Sequence, residues 1–509
     1  MNAAELLLGE AALARNGERL ALICGEEALS YAELARRMHA SAAALRALGL
    51  RRGDHVALLM RDTPECAAAW LGAVHMGAIA VTVNPRLSDA ECRHVLADSG
   101  ARFAIVEDSV AAVQRSLAAH LAQTGRLVVA GEPMRAVPAW RDHLRTTATA
   151  PAVDAGEGEA AFCLYSSGTT GKPKGMAFGH RVVLSLGEAF RAFGIGDGDR
   201  VFTTSKFYFA YGLEHALLAP LALGLTSILC ADWPEAAPVL RIVEQHRPNA
   251  MFSVPTVYRR LLTEAATGLA AFRPIRRFVA AGERLSPQLV EQWRGATGGE
   301  LLNLYGMSET FCACMVTPPG SSNGERTGQP LPITEVRLLD AHNREPAAGD
   351  PGVLWVRHPA MTRGYLNLPV PSAELFRDGW FCSRDVFVRD SAGYFIHQGR
   401  SDELLKVAGQ WVRPGEVEEA AALDPAVAET ACVPVLDGDG LQRLALFVTA
   451  RGDPAEAGRA ATAACEQALP PHKRPKWVRV VADLPRTASG KVQRFKLREI
   501  LERELAGKE

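Results

Sequence analysis

The sequence has 509 residues, with 56 lysines and arginines against 57 aspartates and glutamates, and a formal net charge of −1 at pH 7. This balance argues against nucleic acid or an anionic membrane surface as the main partner, because both attract strongly basic proteins. A chain of this length exceeds a single hydrophobic core, so we expect two or more domains.

Short apolar runs alternate with amphipathic stretches over the first 400 residues. Ser30 and Glu33 have the spacing of a capping box and predict the start of a helix. The continuous apolar run at 55–60 predicts a strand that is covered on both faces. Further strands are predicted at 79–83, 103–106, 161–164, 227–230, 250–254 and 278–281. This alternation predicts an α/β fold with largely parallel sheets in a large N-terminal domain.

One apolar stretch, at 66–83, has the length of a membrane span. Gly72 and Gly77 interrupt it and His75 lies within it, so we interpret it as a buried helix that leads into a buried strand. No signal peptide is recognised. The ten cysteines show no metal-like spacing, which is typical of reduced thiols. We therefore expect a soluble, cytoplasmic protein.

The pattern changes towards the C-terminus. Closely spaced apolar runs at 335–339 and 352–356 predict a small β-rich subdomain, and 399–402 predicts a polar turn. The remainder predicts a small α+β domain with strands near 430–435, 445–449 and 477–481 and a charged helix from Arg494. We predict a large domain at 1–400 and a small mobile domain at 401–509, joined by a hinge.

A segment rich in glycine and hydroxyl groups, Tyr165-Ser-Ser-Gly-Thr-Thr-Gly-Lys-Pro-Lys-Gly175, follows a predicted strand. Its backbone N–H groups, hydroxyls and lysines suit anionic oxygens. It is not a Walker A loop, because Pro173 follows Lys172 where that motif needs serine or threonine. We predict an anion-binding loop rather than a flexible surface loop. Its candidate residues are Ser166, Ser167, Gly168, Thr169, Thr170, Gly171, Lys172 and Lys174.

Four further segments complete a recognisable series. They read Asn303-Leu-Tyr-Gly-Met-Ser-Glu-Thr310, Trp380-Phe-Cys-Ser-Arg-Asp385, Gly399-Arg-Ser-Asp-Glu-Leu-Leu-Lys-Val-Ala-Gly409 and Leu484-Pro-Arg-Thr-Ala-Ser-Gly-Lys491. Over nearly the whole chain, the series resembles the adenylate-forming superfamily of acyl-CoA synthetases, adenylation domains and luciferases. The resemblance implies that 165–175 is the family's phosphate-binding loop and that Thr170 takes part in catalysis.

The resemblance assigns the nucleotide site to the second and third of these segments. It implies that Tyr305 packs against adenine, Asn303 reads the adenine amino group and Glu309 reaches Mg²⁺, with Gly306 and Ser308 completing the segment. A flat base suits a ring, and a hard cation suits carboxylate oxygen. Asp385 is implied to bind both ribose hydroxyls, since a carboxylate accepts two hydrogen bonds.

Arg384 is a departure from the family pattern, because Ser383-Arg384 stands where the family has Thr-Gly. The local backbone conformation is therefore open. Arg384 contacts a phosphate or the second domain, or is simply exposed. Arg400 is implied to assist with ribose and phosphate.

The resemblance implies that the small domain takes part in two half-reactions, formation of the acyl-adenylate and transfer of the acyl group to a thiol. Lys491 is the implied adenylation lysine, and a mobile ammonium there suits the charge that builds on the α-phosphate. Asp402 is the implied hinge. Gly409 is implied to line a tunnel for a thiol, where a side chain would obstruct the approach.

The segment Lys206-Phe-Tyr-Phe-Ala-Tyr-Gly-Leu213 is similar to benzoate- and anthranilate-type CoA ligases. This implies that Ala210 and Tyr211 border an aryl-acid pocket with Phe209 as its gate, whereas Phe207 is expected in the core. Segment 303–309 departs from the benzoate-type pattern, so we expect a substituted or heteroaromatic acid. His215 and the pair Cys312 and Cys314 could contribute to binding such an acid but are not ranked as sites. Further wall candidates are Ala281, Gly306, Met307 and Thr310.

These features predict an AMP-forming aryl-CoA ligase that uses ATP, Mg²⁺ and coenzyme A and needs no nucleic acid or membrane. One alternative transfers the acyl group to a carrier-protein phosphopantetheine, and another to an amine. A third is a non-catalytic nucleotide-binding homologue, against which the intact Lys491, Glu309 and Asp385 argue. The oligomeric state is left open.

Overall fold

The computed structural model describes residues 1–132, 134, 137–144, 151–166, 172–340, 342–401, 405–407, 410–412, 414–437, 441–486 and 492–506. Within these ranges the chain alternates strands and helices up to about residue 300 and is richer in antiparallel strands beyond it.

The strands are numbered in chain order. Those of the first 320 residues are β1 (Leu20–Cys24), β2 (Glu27–Ser30), β3 (His55–Leu59), β4 (Ile79–Thr82), β5 (Phe103–Glu107), β6 (Leu127–Ala130), β7 (Ala160–Ser166), β8 (Lys174–Gly179), β9 (Arg200–Thr203), β10 (Thr226–Ile228), β11 (Ala250–Ser253), β12 (Arg277–Ala281), β13 (Leu301–Gly306) and β14 (Ala313–Val316). The later ones are β15 (Gln329–Pro330), β16 (Glu335–Leu339), β17 (Gly352–Arg357), β18 (Phe376–Arg377), β19 (Trp380–Arg389), β20 (Phe395–Arg400), β21 (Leu405–Val407), β22 (Gln410–Val412), β23 (Val427–Leu436), β24 (Gln442–Ala450) and β25 (Trp477–Val480).

The α-helices are numbered in the same way. They are α1 (Ala3–Leu8), α2 (Glu10–Asn16), α3 (Tyr31–Ala47), α4 (Pro64–His75), α5 (Asp89–Asp98), α6 (Asp108–Val113), α7 (Arg115–Gln123), α8 (Trp140–His143), α9 (Glu188–Ala192), α10 (Ala210–Leu213), α11 (Ala219–Leu223), α12 (Ala236–His246), α13 (Pro255–Glu264), α14 (Pro287–Thr297), α15 (Pro369–Leu375), α16 (Pro414–Ala421), α17 (Pro454–Ala468) and α18 (Arg494–Ala506). Short 3₁₀ segments lie at His180–Ser185, Ala266–Phe272, Ser308–Thr310 and Pro471–Lys473, and a π-helical turn lies at Glu214–Leu218.

Two largely parallel sheets form the greater part of the molecule. One has the order β6-β5-β3-β4-β7-β8, and the other has the order β15-β14-β13-β12-β11-β9-β10-β1-β2. Antiparallel strands lie at one end of the first sheet and at both ends of the second. The inner strands are apolar on both faces because helices cover them, and the largest buried cluster joins Leu58 and Leu164 of one sheet to Leu22 and Leu302 of the other. The predicted α/β class is confirmed.

Helix α3 begins as its sequence predicts. Ser30 Oγ accepts the N–H of Glu33 at 3.1 Å, which satisfies one of the free donors of the first turn. The Glu33 carboxylate pairs with Arg36 and Arg37. The helix therefore has the serine half of the predicted capping box, and its acidic half forms ion pairs with the next turn.

The apolar stretch at 66–83 is a buried helix followed by a buried strand, as predicted. Helix α4 packs closely on α3, and a Cβ at Gly72 would lie 2.6 Å from Ser41 Cβ and 2.8 Å from the Ala42 nitrogen. Glycine is therefore required where the two helices meet. No helix in the described part of the chain combines the length and apolar character needed to cross a bilayer.

A five-stranded antiparallel sheet of β16 to β20 forms the predicted β-rich part. One prediction is wrong here: Gly399 and Arg400 do not lie in a turn but end β20, where they pair with Val386 and Asp385 of β19. The polar residues are held in the ladder because their main-chain groups complete the sheet. The turn begins at Ser401.

The last part of the chain has its own core. Strands β23, β24 and β25 form a sheet on which α16 and α17 pack from one side and α18 from the other. Arg284, before α14, forms an ion pair with Glu419 of α16. The three predicted strands and the final helix are present, whereas the domain division at residue 400 stays a prediction.

Candidate active site

The predicted site residues gather where strands end. Segment 303–310 continues the carboxyl end of β13, and Ala281 ends the neighbouring β12. Parallel strands present their carboxyl ends at one edge of a sheet, where α/β proteins bind ligands. Four predicted features, 167–171 of the loop, Asp402, Gly409 and Lys491, lie outside the described residues.

Tyr305 and Asp385 contact each other although they are 80 residues apart. The Tyr305 hydroxyl donates to Asp385 Oδ2 at 2.6 Å. Asp385 Oδ1 lies 3.5 Å from His397 Nε2 and 3.7 Å from Arg400 Nη1. Burial raises the pKa of the Asp385 carboxyl, but His397, Tyr305 and Arg400 together hold it below its ordinary value. Asp385 is therefore an ionised acceptor, as its expected ribose role requires.

The Tyr305 ring packs edge-on against Phe387 at 5.1 Å between centroids. Asn303 is buried, and its side-chain amide donates to the carbonyl of Arg326 at 3.4 Å. Tyr305 is thus held by the β-rich part of the molecule, and Asn303 by the segment before β15. The structure brings Tyr305, Asp385 and Arg400 together, with Asn303 two residues before Tyr305 on β13.

Glu309 lies on the 3₁₀ turn that Ser308 begins. Its Oε1 accepts a hydrogen bond from the Tyr365 hydroxyl at 2.7 Å, and its main-chain carbonyl accepts the Thr362 N–H at 2.9 Å. Burial and the neighbouring carboxylate raise the pKa of Tyr365, so the phenol stays a donor. Lys174 Nζ lies 5.3 Å above the Tyr365 ring.

These residues fit Mg²⁺ that arrives with ATP. Magnesium is commonly held by one or two carboxylates together with substrate phosphates, and keeps several waters. Glu309 offers such a carboxylate, oriented by Tyr365. Within the described ranges no cluster of three or more histidine, cysteine, aspartate or glutamate side chains forms a metal cage.

The predicted anion-binding loop joins two antiparallel strands. Ser166 ends β7 and pairs with Lys174 at the start of β8, while Lys172 is exposed. This hairpin places both lysines close to the loop. The main-chain carbonyl of Gly175 accepts the Leu366 N–H at 2.8 Å, which ties the hairpin to the residue after Tyr365.

The predicted acid-pocket segment turns sharply into α10. Phe209 is half-buried and precedes Ala210, which begins the helix. The Tyr211 hydroxyl lies 3.2 Å from the carbonyl of Ser253, at the end of β11, and 3.4 Å from that of Val279, in the middle of β12. A Cβ at Gly212 would lie 2.0 Å from the Lys206 carbonyl oxygen, so the turn requires glycine. Phe207 is in the core, as expected.

The other predicted wall residues lie on neighbouring segments. Ala281 pairs with Leu304 across β12 and β13, and Gly306 pairs with Ala313 across β13 and β14. Met307 is half-buried. The hydroxyl of Thr310 is fully buried and 3.1 Å from the carbonyls of both Met307 and Cys312. Thr310 therefore stabilises the turn through its hydroxyl.

Comparison with known proteins identifies the family. A family model described as AMP-binding enzyme matches residues 9–366, and one described as AMP-binding enzyme C-terminal domain matches residues 416–491. The chain belongs to the AMP-binding enzyme family.

Several relatives of this AMP-binding enzyme align over almost their whole length. A 3-hydroxybenzoate–CoA ligase from Aromatoleum sp. (strain CIB) is 38% identical, covering 98% of this chain and 97% of its own. A 3-hydroxybenzoate–CoA/4-hydroxybenzoate–CoA ligase from Thauera aromatica is also 38% identical, covering 99% and 98%. The solved structure of the anthranilate CoA ligase AuaEII with anthranoyl-AMP has a TM-score of 0.89 at 30% identity, covering 99% and 98%. The predicted family is confirmed.

Tyr365 was not identified from the sequence as a residue of the candidate site. It lies 56 residues from Glu309, and no spacing in the sequence links the two residues. Side chains that orient a metal ligand commonly change metal affinity by about 10- to 100-fold when removed. We therefore expect Tyr365→Phe to raise the Mg²⁺ concentration for half-maximal rate by about 10-fold or more. Tyr394→Phe, whose ring lies against Arg326, is the control and is expected to leave the Mg²⁺ dependence unchanged.

Arg384 takes a glycine-like backbone conformation, with φ of +61°. Its carbonyl accepts the Ser401 N–H at 2.7 Å, and its guanidinium lies 4.0 Å from Glu374. In the left-handed region of backbone conformation, a residue with a side chain is less stable than glycine by about 1 kcal/mol or more. We therefore expect Arg384→Gly to increase the free energy of unfolding by about 1 kcal/mol in chemical denaturation. Arg384→Ala keeps the Cβ and is expected to show no such gain.

Glu214 was also missed, and it lies on the π-helical turn. Its side chain is buried beside the Cys312 thiol and the main chain of Ala313, and burial raises the pKa of its carboxyl to about 8. The folded protein therefore keeps a proton that the unfolded chain has lost above its ordinary pKa of 4.5. The stabilisation is fully present below pH 4.5 and is lost as the pH rises through 8.

Replacing Glu214 by glutamine removes this pH dependence. We expect the free energy of unfolding of Glu214→Gln, relative to the unmodified enzyme, to rise by up to about 1.4 kcal/mol per pH unit between pH 6 and 8. Urea unfolding at pH 6, 7 and 8 measures this difference. Glu244→Gln, at an exposed position on α12, is the control. Equal pH dependence in Glu214→Gln and the unmodified enzyme would contradict a buried neutral carboxyl.

Proposed function

We propose that this AMP-binding enzyme activates a hydroxylated benzoic acid and transfers it to coenzyme A. The enzyme is an AMP-forming acid–thiol ligase of the aryl-CoA type that uses ATP, Mg²⁺ and coenzyme A. The proposal of a hydroxybenzoate rests on one observation. The two hydroxybenzoate–CoA ligases share 38% of their residues with this chain along almost its full length.

The first half-reaction forms the acyl-adenylate. Tyr305, Asp385 and Arg400 would hold the nucleotide, and Glu309 would hold the Mg²⁺ that accompanies ATP and offsets the charge of its phosphates. A carboxylate oxygen of the acid attacks the α-phosphorus, the bond to the β-phosphate oxygen breaks, and pyrophosphate leaves. Lys491 stabilises the charge of this transition state, since a preorganised cation acts where charge develops.

The second half-reaction transfers the acyl group. The small domain rotates about Asp402, removes Lys491 from the site and presents the face of Gly409. The sulfur of coenzyme A attacks the acyl carbon, the bond to the phosphate oxygen breaks, and AMP leaves. The thiol proton goes to solvent or to the AMP phosphate. One hinge would thus serve two chemistries at one site.

The acceptor and the cellular location are parts of the proposal. A small acid, ATP and coenzyme A are the substrates. A carrier-protein thiol and an amine stay as alternatives, because both would react with the same adenylate. We place the enzyme in the cytoplasm, since all ten cysteines are free and eight are buried, as is typical of a reducing compartment.

Pyrophosphate release tests the proposal. Purified enzyme is given ATP and Mg²⁺ with benzoate, each hydroxybenzoate, aminobenzoates, cinnamate or a fatty acid, with and without coenzyme A. We expect hydroxybenzoates to give the highest kcat/KM and coenzyme A to accelerate turnover to a thioester. Release without any effect of coenzyme A would favour a carrier protein or an amine. Release with fatty acids alone would contradict an aryl substrate.

A further inference from the structure

His215 has a buried nitrogen that has no hydrogen-bond partner in the part of the chain that the structure describes. The residue is fully buried, and its Nδ1 lies 3.0 Å from the carbonyl oxygen of Tyr211, one helical turn earlier. Its Nε2 has no hydrogen-bond partner among the described residues. A buried polar atom without a partner is unfavourable by about 1–3 kcal/mol, so native proteins rarely keep one without a reason.

The contact with Tyr211 defines what Nε2 can do. A carbonyl oxygen only accepts, so Nδ1 carries the hydrogen and, in a neutral ring, Nε2 is an acceptor. Burial lowers the pKa of His215 to about 3, which keeps the ring neutral at physiological pH. Nε2 is therefore a hydrogen-bond acceptor among hydrophobic side chains, and an O–H group could donate to it.

The surroundings of His215 are aromatic. Its ring stacks on the ring of Phe190, with 5.4 Å between the ring centroids. The corresponding centroid distances are 4.7 Å to Phe252 and 4.8 Å to Tyr211. Tyr211 is a predicted wall of the acid pocket, and residues four apart lie on the same face of a helix. His215 therefore lies one helical turn beyond Tyr211 and contacts its ring.

The backbone is shaped to place His215 there. Glu214–Leu218 is a π-helical turn, a distortion often found at functional sites. Thr203 Oγ1 donates to the carbonyl of His215 at 3.2 Å, and Ser227 Oγ donates to that of Ala216 at 2.5 Å. These hydroxyls, from β9 and β10, satisfy main-chain groups in the distorted turn.

Glu214 joins His215 to the opposite wall. One of its carboxyl oxygens lies 3.5 Å from His215 Nδ1, and the carboxyl also interacts with Cys312 and the main chain of Ala313. Ala313 pairs with Gly306, another predicted wall residue. The two neighbouring residues Glu214 and His215 therefore form a polar spot between two apolar walls of the predicted pocket.

We infer that His215 Nε2 accepts a hydrogen bond from a ring hydroxyl of the acid and so makes the enzyme select hydroxylated over unsubstituted benzoate. This inference rests on the proposed function and identifies the residue behind its substrate preference. A site that binds a substrate hydroxyl discriminates against the analogue without one, because its own polar group is then left unpaired.

The experiment compares kcat/KM for benzoate, 3-fluorobenzoate and the three hydroxybenzoates in the full-length enzyme and in His215→Phe. Phenylalanine keeps a ring against Phe190 and Phe252 but removes the acceptor. We expect the unmodified enzyme to prefer one hydroxybenzoate over benzoate by at least about 10-fold. In His215→Phe the kcat/KM for that acid should fall by about 10- to 100-fold, whereas benzoate and 3-fluorobenzoate should change by less than about 3-fold.

Two further variants separate recognition from folding. His215→Gln keeps an acceptor and should retain part of the preference. His358→Phe is the control, since His358 is also a buried imidazole whose Nε2 has no hydrogen-bond partner in the described part of the chain, although its Nδ1 accepts the Ala360 N–H. This variant should leave unchanged the ratio of kcat/KM for the preferred hydroxybenzoate to kcat/KM for benzoate.

The inference is overturned if His215→Phe keeps the preference, or if it slows benzoate and hydroxybenzoate equally. It is also overturned if the unmodified enzyme uses both acids equally well, an outcome that leaves the proposed aryl-CoA ligase standing. Only the absence of any aryl-CoA product in the unmodified enzyme would remove the proposed function as well.

Discussion

Lys491→Ala is expected to slow adenylate formation by about 10²- to 10³-fold, as is usual when a preorganised charge is removed from a transition state. The attack on phosphorus creates negative charge that no neutral side chain at this position would offset. Thiolysis of supplied acyl-adenylate should change far less, because in the proposed mechanism the small domain has by then turned Lys491 away. ATP–pyrophosphate exchange measures the first step, and thioester formation from synthetic adenylate measures the second.

The control for this variant is Lys496→Ala. Lys496 is an exposed lysine on α18, five residues beyond Lys491, and its removal should affect neither step. Equal losses in both steps for Lys491→Ala would contradict the alternation of the small domain. A loss confined to thiolysis would assign Lys491 to the acceptor step instead.

Asp385→Ala is expected to lower kcat/KM for ATP by at least about 100-fold, since hydrogen bonds to charged groups contribute about 1.5–3 kcal/mol each and the proposed role of Asp385 involves two ribose hydroxyls. The variant also leaves Arg400 and His397 without the carboxylate that they face. The loss should be largely in KM for ATP, and binding of an ATP analogue by calorimetry should show the same change.

Two variants test whether the effect belongs to the ribose contact. Tyr305→Phe removes the hydroxyl that donates to Asp385 but keeps the ring, so a loss below about 10-fold is expected from one hydrogen bond. Asp390→Ala removes a carboxylate five residues further along, where it binds Arg326. It should leave KM for ATP unchanged. An unchanged KM in Asp385→Ala would rule out the ribose role.

The architecture could be predicted because its signals are local. The strands of the parallel sheets are short apolar runs, and amphipathic helices separate them. The interpretation of 66–83 as helix and strand is confirmed for the same reason, as glycines and a histidine within the run argue against a membrane span. The prediction of a turn at 399–402 was wrong for Gly399 and Arg400, because both residues pair with β19. The spacing of residues in the sequence does not indicate such pairing.

The site could be predicted in part. Tyr305, Glu309 and Asp385 belong to short segments whose residue types suit a base, a cation and a ribose. Tyr365 could not be predicted, since its role depends on a contact across 56 residues. His215 was not ranked as a site and Glu214 was not singled out. Within the described residues, burial and an unpartnered nitrogen distinguish them.

The α/β class and the family could be recognised from the sequence, and the chemistry of the predicted nucleotide-binding segments inferred from it, because apolar periodicity and short motifs are properties of neighbouring residues. Which distant side chains meet depends on the tertiary structure. The contacts of Tyr365 with Glu309 and of Tyr305 with Asp385, and the enclosure of His215 by three aromatic rings, arise when the two sheets and the β-rich part pack together. Burial and electrostatic environment, and hence the protonation of Glu214 and His215, exist only in that packed state.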